Sequence, residues 1–264
     1  MDSTNALIAV DWWDVSIGLG LVAVAIGLAS FQGFGLEKDI IVGTIRSILQ
    51  LLFIGYALVY IFMITSVWLT SGILLVMGLI AAYTARGRIK KPYPKAIPIL
   101  WFSLIVGTFV AVAFITRIAI RDPQALSARY LVPLGSMVIG NALNGLSLAG
   151  ERFRAELIAQ RDRVECLLAM GATSARAAAD CARASFVAGM IPTINMMMVI
   201  GLIQIPGIMT GQVLAGVDPI YAARYQLLVL FMLLGGKVIV LSIALRLGGL
   251  RYFTPAHQLR GELL

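Results

Sequence analysis

Seven long apolar runs recur along this 264-residue chain, and no other feature narrows its fold as far. They cover approximately Val15–Phe34, Ile45–Ile64, Leu69–Thr84, Ile97–Ala119, Tyr130–Ala149, Ser185–Ile205 and Tyr225–Leu247. Inside hydrocarbon every backbone N–H and C=O must be paired within the protein, which leaves helices or a closed barrel. A barrel strand needs only about ten alternating residues, whereas a spanning helix needs about 20 that are mostly apolar. The runs have helical length. With 60% hydrophobic residues and a mean hydropathy of +0.93, a soluble globule is excluded. The chain therefore reads as an all-α polytopic membrane protein of about seven transmembrane helices, one permease-sized domain over residues 1–264. The third run is short for a full span, and the first is rich in glycine (Gly18, Gly20, Gly27), which predicts close packing against a neighbour.

Charge placement orients the spans. Arg86, Arg88, Lys90, Lys91 and Lys95 crowd the third connection with no acid among them, which marks a cytoplasmic loop in a plasma (cell inner) membrane. Alternation then puts the N-terminus outside, the Glu151–Arg183 segment inside and the tail with Arg246, Arg251 and Arg260 inside. Asp2, Asp11 and Asp14 fit the outer side, and the absence of a basic n-region argues against a cleaved signal. The loop with Arg117, Arg121, Asp122 and Arg129 dissents, at a net +2 on the outer face. Formal charge is +8, but it is divided among short loops and predicts no nucleic-acid partner. Trp12, Trp13, Trp68 and Trp101 fall near span ends, as interfacial anchors do.

The one long polar break, residues 151–184, is patterned as helix, glycine turn, helix. Leu157, Val164, Leu167 and Leu168 recur at helical spacing among Arg161, Asp162, Arg163 and Glu165. Gly171 interrupts, and Thr173 or Ser174 can cap a second helix through Ala175–Ala184. Periodicity leaves two readings open: an amphipathic hairpin resting on the membrane surface, or a short helix that docks into a soluble partner and transmits motion. Both cysteines, Cys166 and Cys181, lie here, as free thiols on a reducing face would.

The string Glu165 to Thr173, followed by Ile191-Pro192, resembles the coupling-loop signature of ABC importer-type permeases, although Cys166 and Leu167 stand where alanines are typical. Ile205-Pro206-Gly207-Ile208-Met209-Thr210-Gly211, Ala215 to Pro219, Tyr225-Gln226 and Phe231 to Leu234 resemble the FetB (YbbM) family of ABC transporter permeases, relatives of the plant aluminium-sensitive membrane proteins. Pro133, Met137, Gly140 to Ala142 and Arg46, Gln50, Gly55-Tyr56 are similar to further blocks of that family. The resemblance implies a homodimeric permease pairing with two copies of a separate ATP-binding subunit, which would carry the ATP and Mg. It implies iron or other metal export in bacterial members and nucleotide-sugar movement in plant ones. It also implies that Arg161, Glu165, Ala169, Gly171 and Ala172 couple the chain to the ATPase. The chain itself has no ATPase site: Gly235-Gly236-Lys237-Val238 lacks the phosphate-loop spacing and its Ser/Thr. No cofactor is expected in this chain.

Polar groups inside spans are costly and mark either a route or an interhelical bond. Arg46, Gln50, Asn141, Asn144, Asn195 and Gln204 are candidates for the pathway or its gate, as are Pro206, Gly207 and Asp218 in the outer block. The block Pro206–Arg224 reads as re-entrant or surface-lying, though Asp218-Pro219 is also an ordinary turn pair. Lys237 is the sharpest anomaly, about 15 Å from the end of its span, where it can snorkel or face the route. Facing the route, its charge favours an anion or chelate over a bare cation. One histidine, His257, and two loop cysteines give no metal cage, and the Met196-Met197-Met198 run is ordinary apolar filler. A secondary transporter would need intramembrane acids, and the spans contain none.

Overall fold

The computed structural model describes residues 11–64, 66–120 and 122–263. Ten α-helices occur among them: α1 (Trp12–Phe31), α2 (Glu37–Ile61), α3 (Val67–Arg88), α4 (Ala96–Ala113), α5 (Ala128–Ala159), α6 (Arg161–Ala169), α7 (Ser174–Ala177), α8 (Ala179–Val199), α9 (Gly207–Leu214) and α10 (Pro219–Gly249). The described residues hold no strand beyond two isolated bridges. Seven of the helices are long and apolar enough to cross a membrane: α1 to α5, α8 and α10. The all-α, seven-span expectation is met.

Local chemistry fixes where the helices begin. The Asp14 carboxylate accepts from the Asp11 backbone N–H (2.9 Å) at the start of α1. Ser66 Oγ accepts from the Leu69 N–H at the start of α3. Asp218 Oδ1 accepts from Ile220 and Tyr221 N–H, with Pro219 pre-setting the first turn of α10. Several spans outrun their apolar runs. α2 begins at Glu37, because acidic Glu37 and Asp39 suit a helix N-terminus. α5 continues past Ala149 to Ala159 and reaches about 48 Å, longer than a hydrocarbon core of about 30 Å, so its last turns leave the membrane. The sixth span ends early, at Val199, in a turn whose Gly201 has φ +85°.

Five helices, α3, α4, α5, α8 and α10, build the packed bundle. Glycines set its closest crossings. A Cβ on Gly107 of α4 would lie 2.9 Å from the Gly236 carbonyl oxygen of α10. One on Gly189 of α8 would lie 3.0 Å from the Gly145 carbonyl oxygen of α5. Bare backbone is what lets these pairs meet, as small residues do between membrane helices. Trp101, near the start of α4, also packs into this bundle: it is half-buried, and its Nε1–H donates to the Leu75 carbonyl (3.0 Å). α4 ends in a π-helical segment, Phe114–Ile120, where the Thr116 hydroxyl donates to the Val112 carbonyl.

α1 and α2 stand apart. They pack on each other, yet α2 has no buried residue and α1 only Ala29. Gly18, Gly20 and Gly27 face open space, so the glycine-rich run of α1 does not pack closely within this chain.

Candidate functional site

The bundle holds a lysine at its centre. Lys237 lies in the middle of α10 beside Gly236 and is 1% exposed, so it does not snorkel to the surface. Its Nζ donates to Thr193 Oγ1 of α8 (2.7 Å), and that hydroxyl donates to Asn141 Oδ1 of α5 (3.1 Å). The lysine stem passes directly over Gly145, where a Cβ would meet its Cε. One chain of hydrogen bonds therefore ties three spanning helices at the point where the α5 and α8 backbones touch. Among the described residues no carboxylate lies within ion-pair distance of Lys237. A buried cation without an acid is costly, and hydrogen bonds alone offset little of that cost. The network can hold three helices in one arrangement, and it breaks if any one of them slides.

Sequence reasoning singled out Lys237 and Asn141 but missed Thr193, the link between them. A lone threonine in a span carries little signal, because its hydroxyl usually bonds to its own helix. The other intramembrane candidates do not join this network. Asn144 is exposed and accepts from Arg88 Nη1 (3.2 Å). Asn195 is exposed on the outer face of α8, and Arg46 and Gln50 are exposed on α2. Gln204 sits in the turn after α8, where its carbonyl accepts from the Gly201 N–H. Pro206 and Gly207 open the short helix α9, which packs against α10. Asp218 is occupied as the N-cap of α10. Gln226, two turns into α10, is buried with its Oε1 unpartnered, as is the Oε1 of half-buried Gln212 in α9.

A second constellation lies at the end of the bundle where α5 projects. α6 follows α5 almost without pause, and Met170–Gly171 turns the chain, Gly171 taking φ +87°, which glycine adopts without strain. The expected second helix through Ala175–Ala184 is in fact two pieces: α7 is a four-residue turn, and α8 starts after a break at Ala178. Thr173 is the N-cap residue of α7 by backbone geometry, with no side-chain cap bond. Arg161 and Glu165 pair at 2.7 Å on the exposed face of α6. The hydrogen bond and charge of Glu165 hold the guanidinium of Arg161 above its ordinary pKa. Ala169 and Gly171 are exposed and Ala172 is half-buried, so the candidate coupling residues form one accessible ridge. Cys166 is exposed and Cys181 buried; both are free thiols.

The C-terminal tail clamps this ridge from behind. Phe253 and Leu259 form an antiparallel bridge, and His257 takes φ +56° between them. The Ser174 backbone N–H donates to His257 Nδ1 (3.2 Å), and the Ser174 hydroxyl lies 2.7 Å from the same nitrogen. The imidazole thus satisfies a donor at the start of α7 that its own threonine cap leaves open. Arg154 of α5 donates to the Leu263 carbonyl (3.4 Å), which anchors the far end of the tail. Beneath it, Tyr93 and Phe153 both pack on Tyr252 as tilted rings, with centroids 5.7 and 5.5 Å from that of Tyr252. Burial, aided by Tyr252, pushes the Tyr93 hydroxyl pKa up, so Tyr93 acts here as a neutral group. Lys90 N–H donates to Glu151 Oε2 (3.3 Å), which brings the basic loop to the same end of the bundle. The histidine's role was not legible in the sequence, because 83 residues separate it from Ser174.

Among the described residues no group of three or more His, Cys, Asp or Glu side chains converges to hold a metal.

Comparison with known proteins fits this architecture. Residues 12–253 match the model of the uncharacterised protein family UPF0014. The chain is 40% identical to the UPF0014 membrane protein slr1647 of Synechocystis sp., over 87% of this chain and 89% of that one. It is 31% identical to the probable iron export permease protein FetB of Escherichia coli, over 93% of both. It is 29% identical to the protein Aluminum Sensitive 3 of Arabidopsis thaliana, over 92% of this chain and 87% of the relative. No solved structure matches it. With its seven apolar helices, the chain belongs to the UPF0014 family of multi-pass membrane proteins.

Proposed function

We propose that this chain is the membrane-spanning permease subunit of an ABC transporter, driven by a separate ATP-binding subunit that carries the ATP and Mg, and that it exports iron or another metal. The observation that carries the reading is the exposed α6–Gly171–α7 ridge. It rides on a helix that overshoots the membrane and is braced by the tail. A rigid ridge of that kind transmits a push from a soluble partner into α5 and α8, the two helices joined to Lys237 through Thr193. Closure of the ATPases would shift α5 against α8, break the Lys237–Thr193–Asn141 chain and let the bundle rock between its two access states.

Two copies complete the transporter in this reading. Arg46 sits about 14 Å inside α2, exposed beside Gln50 on a helix with no buried residue, and a charged side chain facing lipid at that depth is costly. A second copy covering α2 would remove that cost. The likeness to the probable iron export permease of Escherichia coli supports a metal cargo. A second reading, an anionic solute such as a nucleotide sugar, draws support from Lys237, whose charge repels a bare cation. Both place the basic loop and tail in the cytoplasm, the N-terminus outside, and the protein in the cell inner membrane.

The test is reconstitution with the cognate ATP-binding subunit. Gly171→Pro, which removes the turn's φ, is expected to abolish coupled transport while the bundle folds. Unchanged transport by that variant sinks the coupling role. Vesicles loaded with ferrous iron, other metals or a nucleotide sugar then separate the two cargo readings.

A further inference from the structure

A cleft of about 450 Å³ opens between α7, the first turns of α8 and the last turns of α10, and neither the lysine network nor the coupling ridge uses it. Its walls are apolar, formed in part by Phe186 and Leu245, while Arg183, Arg246 and Ser242 bring polar groups to it. Arg183 lies four residues into α8 and Arg246 three from the end of α10. Each is about one helical turn, roughly 5 Å, inside the end of its helix, which is the depth of the membrane–water boundary. Both arginines are exposed, and neither makes an ion pair or hydrogen bond among the described residues. No carboxylate lines the cleft.

Two unpaired guanidiniums call for an anion with several oxygens. The oily walls call for hydrocarbon. A further stripe carries the second demand into the membrane: Val187, Ile191 and Ile194 follow Arg183 at helical spacing on α8, each 44 to 50% exposed. A single molecule at this depth supplies a phosphate at one end and chains at the other. We propose that Arg183 and Arg246 seat the headgroup phosphate of an anionic phospholipid, whose acyl chain lies along Val187, Ile191 and Ile194. Basic pockets between helix ends are suited to such headgroups. The seat touches α7, so an occupied cleft fills the space behind the coupling ridge.

The experiment needs no ATPase, so its outcome is independent of the transport reading. The full chain, purified in a neutral detergent, is titrated with phosphatidylglycerol or phosphatidylcholine and bound lipid is counted by native mass spectrometry. Phosphatidylglycerol should be retained in preference to phosphatidylcholine. Each single variant, Arg183→Gln or Arg246→Gln, should weaken it about fivefold and the pair roughly 30-fold. Arg86→Gln, at the same end of the bundle, should leave it unchanged. The single variants guard against a double variant that fails to fold. Equal retention of both lipids by the wild type, or undiminished binding by the double variant, overturns the proposal. Displacement of the lipid by inorganic phosphate at matched concentration assigns the cleft to a soluble anion and overturns the lipid. A double variant that keeps its lipid but loses its second copy makes the cleft an interface between copies, and overturns it too.

Discussion

α4 and α2 are both 25-residue spans when the π-helical end of α4 is included, and both are strongly apolar, yet they meet opposite fates. α4 with its π-helical end is more than half buried, whereas α2 has no buried residue at all. In water the more hydrophobic helix would go inside by default. In lipid apolarity gives no such preference, because hydrocarbon chains are as apolar as leucine, so close fit decides. α4 has Gly107 against Gly236 of α10, while Gly43 and Gly55 of α2 face open space. α2 instead carries Arg46 and Gln50 on exposed positions, which a second copy would cover in the proposed dimer.

Overpacking should show the contrast most strongly. Gly107→Val drives a branched side chain into Val240 and the Gly236 carbonyl, and is expected to destabilise the bundle by about 3 kcal/mol. Gly20→Val in α1 should change thermal unfolding of the detergent-solubilised monomer by less than about 0.5 kcal/mol. Equal losses would break the distinction between the two regions. The lysine network gives the next effect. Thr193→Val leaves the ammonium without its acceptor and should cost about 2 kcal/mol. Lys237→Met removes the buried charge itself and should be neutral or stabilising by about 1 kcal/mol, while slowing or uncoupling transport. A Lys237→Met protein less stable than Thr193→Val would show that the lysine has an acid partner.

A subtler variant probes α2. Arg46→Leu should leave unfolding of the monomer unchanged but weaken self-association, read by light scattering or by crosslinking in vesicles; unaltered association would remove α2 from the interface. The smallest effects belong to the loop. His257→Ala opens the N-terminus of α7 and should cost about 1 kcal/mol, visible as faster amide exchange at Ser174. Glu165→Gln breaks an exposed ion pair and should leave thermal unfolding almost unchanged.

Much of this was written in the chain. The apolar runs located all seven spans, and the polar break with Gly171 located the turned element between the fifth and sixth. Lengths were less legible: α5 outruns its apolar run by ten residues, because a helix that leaves the membrane no longer needs apolar side chains. Lys237 was visible as an anomaly, but its direction was not. A lysine about 15 Å from its span end can snorkel or turn inward, and only what surrounds it decides which.

Composition and charge fixed the class of the protein, because backbone polar groups in hydrocarbon admit few structures and basic loops resist translocation. Those constraints act on each segment alone. The Lys237–Thr193–Asn141 chain, the His257 brace and the glycine crossings join residues 44 to 129 positions apart, from Lys237–Thr193 to Gly107–Gly236. Only the tertiary packing could decide them, since they depend on which helix faces which, and in lipid that choice is made by shape.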